Sequence, residues 1–520
     1  CIVLALMLFA WSHRHALQLF GFADDLGLML DLPQRARNGE LWTAVWQRIV
    51  GPLWGPGSVM WRPLPFASMA IDALLYGTDG KLWRITNLSL HIATAAFAGL
   101  ISRSLLKQSA LPSAVAFAAA LLLPWAPETT LWMVGRFDGL ASLFVMISLW
   151  TAMHGGAQPR WVLFSGLAAV AAYASKESAL VLPAWVPLTV CVVALRDRGS
   201  SGYFVALTSA HRRHWLLFAV HALLALAYLG WRWYLFGSVS TDVYGASPLF
   251  DLADGLARLV RHLNIVIVAA AYAPQAAAIA ATLGLLGLIT ALAGRHRWIA
   301  LLGCALALSI FAAAAVHFSA ALPLADGFRF YYLASLGIAI VVATAVASIR
   351  ETNYIHLSAI AIVCVALAIW QNKMAGEWRL TSNALKNVVT AIAEMAPRIS
   401  PSDYGLLLLA DPVGHVPASR NAQGALLGYA TLTNPQVKEA SRLIIFTPLQ
   451  VAEWYQIMQT DVVRALTKRA DAPPRPTRYF CMGAADREIK DLGFWPADTI
   501  ENWAVSWRQR VAAVCPSLSM

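Results

Sequence analysis

The chain has 520 residues, of which 59% are hydrophobic and only 13% are charged, and its formal net charge is +11. A soluble domain is about 25% charged, so this composition excludes a water-soluble protein and indicates an integral membrane protein. The positive charge is attributed to loops and headgroup contacts. Nucleic acid is not an expected partner, because the sequence contains no soluble basic face.

In chain order, the hydrophobic pattern predicts an α-helical polytopic membrane protein with about eleven transmembrane helices. The first apolar run, Cys1–Trp11, is shorter than a full span of about 20 residues, so we expect the first span to be partial. The expected spans are 1–20, 84–102, 111–125, 129–152, 161–175, 177–195, 214–236, 275–293, 298–319, 330–349 and 354–372.

Two segments within the transmembrane domain, residues 1–373, are not predicted to span. Residues 21–83 form a long outer loop in which 34–50 and 63–76 are expected to be short helices on the membrane surface. Residues 251–273 contain three basic side chains in their first half. We therefore predict an amphipathic or re-entrant surface helix there rather than a twelfth span.

Loop charges orient the spans. With the N-terminus in the cytoplasm, the predicted cytoplasmic connections hold ten Lys or Arg residues and only two acids, Asp197 and Glu351. Short cytoplasmic loops carry this excess of positive charge. The pattern therefore predicts a cytoplasmic N-terminus and an extracytoplasmic tail.

Residues 374–520 are predicted to form a small extracytoplasmic α/β domain. Tyr404–Ala410 and Arg442–Thr447 have the pattern of buried strands, with helical patterns between and after them. Cys481 and Cys515 lie in this tail, where an oxidising compartment would permit a disulfide. The other four cysteines lie in apolar spans, and no metal-ligand spacing is present.

The first candidate site is the acidic pair Asp24-Asp25, directly after the first span at its outer boundary. Adjacent carboxylates beside lipid repel each other, so at least one should have a raised pKa, as a general base requires. A helix N-cap or a solvated loop start is the alternative, which the dipeptide alone leaves open.

Ionisable residues recur at other outer span ends. Arg62 could hold a lipid phosphate through its guanidinium fork, or it could extend to lipid headgroups. Glu128 opens the predicted span 129–152. Arg136 and Asp138 lie about two turns further in, either as cavity residues or as a structural ion pair.

The later spans supply the remaining candidates. Lys176-Glu177 lies at the outer end of the fifth span, as part of a cavity or as a surface ion pair. Arg329 and Tyr332 share one helical face and could bind a phosphate together with a sugar or prenyl chain, or anchor the helix at the interface. His91 is a further cavity candidate, although a lone His there is more often a packing residue. Acids and bases gathered on one side indicate an outward-facing polar cavity.

Five motifs follow one another in a fixed order: WRPL, NLSLH, LPWAPETTLWMVGRFDGL, SKESALVLP and FRFYYLASLG. Together they resemble the membrane glycosyltransferases of the GT-C superfamily, particularly the TMTC-like and protein O-mannosyltransferase-like branches, over roughly residues 20–350. The resemblance implies that Asp24 and Asp25 match the family's paired acids. It also aligns the family's other charged positions with Glu128, Arg136, Asp138, Lys176, Glu177 and Arg329.

The resemblance implies transfer of a sugar from a polyprenyl-phosphate donor, with inversion and with Asp24 as the general base. Expected partners are that donor, membrane lipids, and a glycan, lipid or protein acceptor; the expected location is a bacterial inner membrane. No cofactor is assigned, and dependence on a divalent metal stays open. The alternatives are a transporter or flippase of lipid-linked glycans and a non-catalytic assembly scaffold.

Overall fold

The computed structural model describes residues 1–22, 24–55, 58–107, 110–154, 158–198, 202–239, 252–317, 328–349, 353–395, 404–409, 426, 429–430, 434, 443–446, 477–482, 489–495 and 513–515. The chain divides into two compact units. The first comprises residues 1–17 and 35–376, and the second comprises residues 18–34 and 377–520.

Helices dominate the described residues. In chain order they are α1 (Ile2–Ser12), α2 (Asp24–Arg37), α3 (Leu41–Val50), α4 (Pro63–Tyr76), α5 (Gly80–Leu106), α6 (Ala110–Leu121), α7 (Ala126–Leu131), α8 (Arg136–His154), α9 (Pro159–Tyr173), α10 (Leu182–Asp197), α11 (Tyr203–Phe236), α12 (Leu252–Ala271), α13 (Pro274–Ala293), α14 (Arg297–His317), α15 (Ala334–Ser348) and α16 (Tyr354–Met395).

Local sequence signals set several helix ends. Pro63, Pro159 and Pro274 each open a helix, where the missing proline N–H would have no helical partner. The Asp79 side chain caps α5 by accepting a hydrogen bond from the Lys81 backbone N–H. Helix α11 ends at Gly237, whose φ of +67° lies in the left-handed region that glycine adopts without strain.

Seven helices among the described residues are long and apolar enough to cross a membrane, and the chain is accordingly an integral membrane protein. These candidate spans are Gly80–Leu106, Met133–His154, Glu177–Asp197, Tyr203–Phe236, Pro274–Ala293, Arg297–Ala314 and Tyr354–Met395. Shorter apolar helices are Pro63–Tyr76, Ala110–Leu121 and Ala334–Ser348. The polytopic helical fold predicted from the hydrophobic pattern is confirmed.

Within the predicted outer loop 21–83, α4 coincides with the predicted short helix 63–76. The predicted helix 34–50 is instead divided between the end of α2 and α3. Helix α12 coincides with the predicted surface helix 251–273 and is not among the candidate spans. Its position at the membrane surface stays a prediction.

The core of the first unit contains helices packed in backbone contact. A Cβ atom at Gly303 of α14 would lie 2.7 Å from the carbonyl oxygen of Gly337 in α15. Small residues at such a crossing allow two membrane helices to approach closely. This contact fixes α15, whose N-terminal end follows Arg329.

The described residues of the second unit form a four-stranded sheet. Strand β1 (Tyr404–Leu409) pairs in parallel with β2 (Leu443–Phe446) and with β3 (Thr477–Met482), whereas β4 (Lys490–Trp495) is antiparallel to β3. The first two strands confirm the two strand predictions. The helical patterns predicted between and after them lie largely outside the described residues.

A disulfide joins Cys481, at the end of β3, to Cys515. Both cysteines are buried. The bond ties the end of the chain to the sheet, as the sequence permitted for an oxidising compartment.

Candidate functional site

The segment between α7 and α8 brings Gly135 back against α7. Gly135 lies so close to α7 that a Cβ atom there would be 2.7 Å from the backbone oxygens of Glu128 and Thr129. The prediction of one continuous helix over 129–152 is therefore wrong at its start. Because α8 begins at Arg136, Asp138 lies in a first helical turn rather than two turns inside a span.

Arg136 is completely buried in a polar network of its own. Its guanidinium donates to Asp72 at 2.5 Å, to the Asn87 side-chain oxygen at 2.8 Å, to the Trp83 carbonyl at 2.9 Å and to Ser68 at 3.2 Å. The structural ion pair that the sequence left open thus forms with Asp72 of α4, and not with Asp138. These contacts occupy the guanidinium and bind α4, α5 and α8 together.

Asp138 contacts two cations. It accepts a hydrogen bond from Lys176, and its other oxygen lies 3.9 Å from Nε of Arg329. Arg329 also lies 3.5 Å from a carboxylate oxygen of Glu128. The second oxygen of Glu128 accepts the Phe328 backbone N–H at 2.9 Å.

Glu177 holds a second pair of cations. One of its oxygens accepts a hydrogen bond from Arg62 at 2.8 Å, and the other lies 3.4 Å from Arg232. Arg232 is almost fully buried and donates to the carbonyl oxygens of Val59 and Val239. The end of α11 is therefore joined to the segment that precedes Arg62.

We call these seven side chains the charge cluster: Arg62, Glu128, Asp138, Lys176, Glu177, Arg232 and Arg329. Four cations face three carboxylates, so the cluster carries one excess positive charge when every group is ionised. Aromatic rings lie beside the cations: Phe330 beside Lys176, Trp132 beside Arg329 and Phe137 beside Arg62. Such contacts stabilise a cation but cannot neutralise it.

Lys176 lies between α9 and the candidate span that begins at Glu177. Burial lowers its pKa to about 8; Asp138 opposes this change, and the nearby charges of Arg62 and Arg329 add to it. Burial removes the water that solvates an ammonium group, and this desolvation disfavours the charged form of lysine. An additional anion near Lys176 would restore that form.

The charge cluster occupies one end of the helices of the first unit. At the other end of α10, Lys107 pairs with Asp197 and Arg196 donates to the carbonyls of Ser104 and Leu105. The 16 residues of α10 separate the two groups by about 24 Å at 1.5 Å per residue. The structure thus brings together Arg62, Glu128, Asp138, Lys176, Glu177 and Arg329, which the sequence places at the outer side.

His91 and Tyr332 contact each other. The His91 Nδ1 atom lies 2.5 Å from the Tyr332 hydroxyl, and its Nε2 atom lies 2.9 Å from the Leu121 carbonyl oxygen. Both side chains are buried.

Asp24 and Asp25 belong to the second unit, where they open α2. Asp25 is fully buried, Asp24 is partly exposed, and the Asp25 backbone N–H donates to the Phe22 carbonyl at 2.8 Å. Acidic residues in a first helical turn interact favourably with the helix dipole. The role of Asp24 as a base stays a prediction of the sequence resemblance.

Sequence reasoning missed two charged residues, Asp72 and Arg232. Each is an ionisable side chain within an apolar helix, and that exception to the local pattern is itself a signal of a buried polar site. Among the described residues, no group of three or more His, Cys, Asp or Glu side chains is placed to hold a metal ion.

Comparison with known proteins found no matching family model and no matching curated protein. Among solved structures, the chain is similar to ArnT from Cupriavidus metallidurans bound to undecaprenyl phosphate, with a TM-score of 0.48, 12% identity and 92% of each chain covered. It is also similar to ArnT from the same organism in the apo state, with a TM-score of 0.47 and 15% identity over 92% of this chain and 91% of that one.

Proposed function

We propose that the chain is a glycosyltransferase that moves a sugar from a polyprenyl-phosphate-linked donor to an acceptor on the extracytoplasmic face of a membrane. The charge cluster carries this proposal. It combines an excess positive charge, low exposure to water and a position at one end of the membrane helices. A lipid phosphate has the complementary charge and would reach such a position from the bilayer.

Arg329 is the cation best suited to bind the donor phosphate. Its distances of 3.5 Å to Glu128 and 3.9 Å to Asp138 exceed those of strong charge-assisted hydrogen bonds. Arg329 shares Asp138 with Lys176, so a phosphate bound beside this carboxylate could contact both cations. Lys176, on the other side of Asp138, would supply the second positive charge.

The proposed reaction is a single inverting displacement. The acceptor hydroxyl oxygen bonds to the anomeric carbon while the bond from that carbon to the phosphate oxygen breaks. A carboxylate, assigned to Asp24, takes the hydroxyl proton, and polyprenyl phosphate leaves with the bonding electrons. Arg329 and Lys176 would stabilise the charge that develops on the leaving phosphate.

Three charged residues have supporting roles in this proposal. Glu177 holds Arg62 and Arg232 together, and Glu128 holds the backbone that carries Arg329. Arg136 is assigned to the fold rather than to the donor, because its hydrogen-bonding groups already contact protein atoms.

Sugar transfer in proteoliposomes tests the proposal, with a donor labelled in both its sugar and its lipid. We expect a labelled product and released polyprenyl phosphate from the unmodified protein. Arg329→Met and Asp24→Asn should each reduce turnover by about 100-fold or more. Lys107→Met is the matched control, since it removes a paired cation at the opposite end of the helices.

Movement of the intact donor across the bilayer without cleavage would instead identify a transporter. Full activity of Asp24→Asn would remove Asp24 as the base while leaving the phosphate site intact. Equal losses in Arg329→Met and Lys107→Met would contradict a specific role for the cluster.

A further inference from the structure

Arg329 lies in a short turn that is held at both ends. We define the arginine turn as residues 328–332. At its first residue, the Phe328 backbone N–H donates to Glu128. At its last residue, the Tyr332 hydroxyl bonds to Nδ1 of His91. The guanidinium of Arg329 leaves the chain between these two fixed points.

The two contacts of His91 determine the direction of its hydrogen bond with Tyr332. Its Nε2 atom faces the Leu121 carbonyl oxygen, which can only accept a hydrogen bond, so Nε2 carries the proton. In the neutral ring Nδ1 is then an acceptor, and the Tyr332 hydroxyl must donate to it. The hydroxyl proton is therefore directed at His91.

The Leu121 carbonyl is itself held from a second helix. Gln371 of α16 donates to the carbonyl oxygens of both Leu121 and Leu123 at 3.0 Å, and its own side-chain oxygen accepts from Ser12 of α1 at 2.7 Å. All of these polar side chains are buried. His91 thus connects the arginine turn to a network that includes α1, α5, α16 and the end of α6.

We propose that His91 and Tyr332 are positioning residues that hold Arg329 against the leaving phosphate. This inference rests on the proposed function, and it gives Tyr332 a role different from the direct phosphate contact expected from sequence. This buried hydrogen bond restricts the turn to one arrangement, because breaking it would remove the donor to Nδ1 of His91. A displacement of a catalytic group by about 1 Å costs up to about 100-fold in rate, and a smaller displacement costs less.

A double-mutant cycle tests the connection to Arg329. Tyr332→Phe keeps the packed ring and removes only the hydroxyl, and it should lower kcat for sugar transfer by about 10-fold with a smaller change in KM. In an Arg329→Ala background the same substitution should have no further effect. Unchanged kcat in Tyr332→Phe, or a loss that multiplies with that of Arg329→Ala, would overturn the proposal.

His91→Gln provides a second, independent variant. Glutamine can still donate to the Leu121 carbonyl but offers no ring nitrogen to Tyr332, so its kcat should match that of Tyr332→Phe. Ser148→Ala is the control for general loss of a buried hydrogen bond, since Ser148 bonds to Ser165 in another part of the first unit. Equal kinetic losses in the control would indicate a merely structural role and overturn the proposal.

Hydrogen exchange gives a readout that does not depend on activity. Peptides covering residues 328–334 should exchange faster in Tyr332→Phe and His91→Gln than in the unmodified protein or in Ser148→Ala. If the unmodified protein transfers no sugar, the proposed function fails, and exchange alone then decides whether the pair holds the turn. Unchanged exchange in both variants would show that it does not.

Discussion

Lys176 should lose its charge within the pH range of an ordinary transfer assay. Burial holds its pKa at about 8, below the usual value of a lysine. The Lys176 ammonium is therefore present below pH 8 and is lost as the pH rises through that value. With one titrating proton, about 90% of the free protein is charged at pH 7 and about 10% at pH 9.

The kinetic consequence can be estimated from this fraction. If the donor phosphate requires charged Lys176, kcat/KM for the donor should fall about tenfold between pH 7 and pH 9. Lys176→Arg keeps its positive charge throughout this range. At pH 7 the kcat/KM of Lys176→Arg should be lower than that of the unmodified protein, because the longer arginine side chain places its charge differently. It should not decline towards pH 9.

The assay is initial-rate sugar transfer at subsaturating donor in buffers of constant ionic strength. Lys107→Arg is the control, because Lys107 is exposed at the opposite end of the helices, and it should retain the decline of the unmodified protein. A flat profile in the unmodified protein, or an equal decline in Lys176→Arg, would refute the role of the Lys176 charge.

Three further predictions concern stability. Asp72→Ala leaves Arg136 charged and buried, so the free energy of unfolding should fall by about 3–5 kcal/mol; an unchanged melting temperature in detergent would contradict this. Gly135→Ala should lower the free energy of unfolding by about 1–3 kcal/mol, because the added Cβ would overlap α7. Unchanged stability would contradict this close packing. Cys481→Ser should remove about 2–4 kcal/mol from the second unit and expose it to limited proteolysis, as reduction of the bond to Cys515 should in the unmodified protein.

The hydrophobic pattern was sufficient to predict most helices because burial in a membrane requires long apolar runs. It was not sufficient between Pro124 and Gly135. The run there is mostly apolar, yet α7 ends after six residues and Gly135 packs against it. That turn depends on contact between two segments, so the periodicity of hydrophobic residues along the sequence does not predict it.

Ion-pair partners were harder to predict than the charged residues themselves. Arg136 and Asp138 are two residues apart, and side chains at that spacing point to different sides of a helix. This geometry disfavours the Arg136–Asp138 pair that the sequence left open, but it does not identify Asp72 as the alternative. Asp72 lies 64 positions earlier in the chain, and only the packing of α4 against α8 brings the two groups together.

A structure determined with bound polyprenyl phosphate tests the central claim most directly. The proposal places the phosphate within hydrogen-bond distance of Arg329 and Lys176, with Arg329 drawn away from Glu128 and with the contacts of Arg136 unchanged. A phosphate bound at the opposite end of the helices, beside Lys107, or at a site that leaves Arg329 and Lys176 untouched, would contradict it.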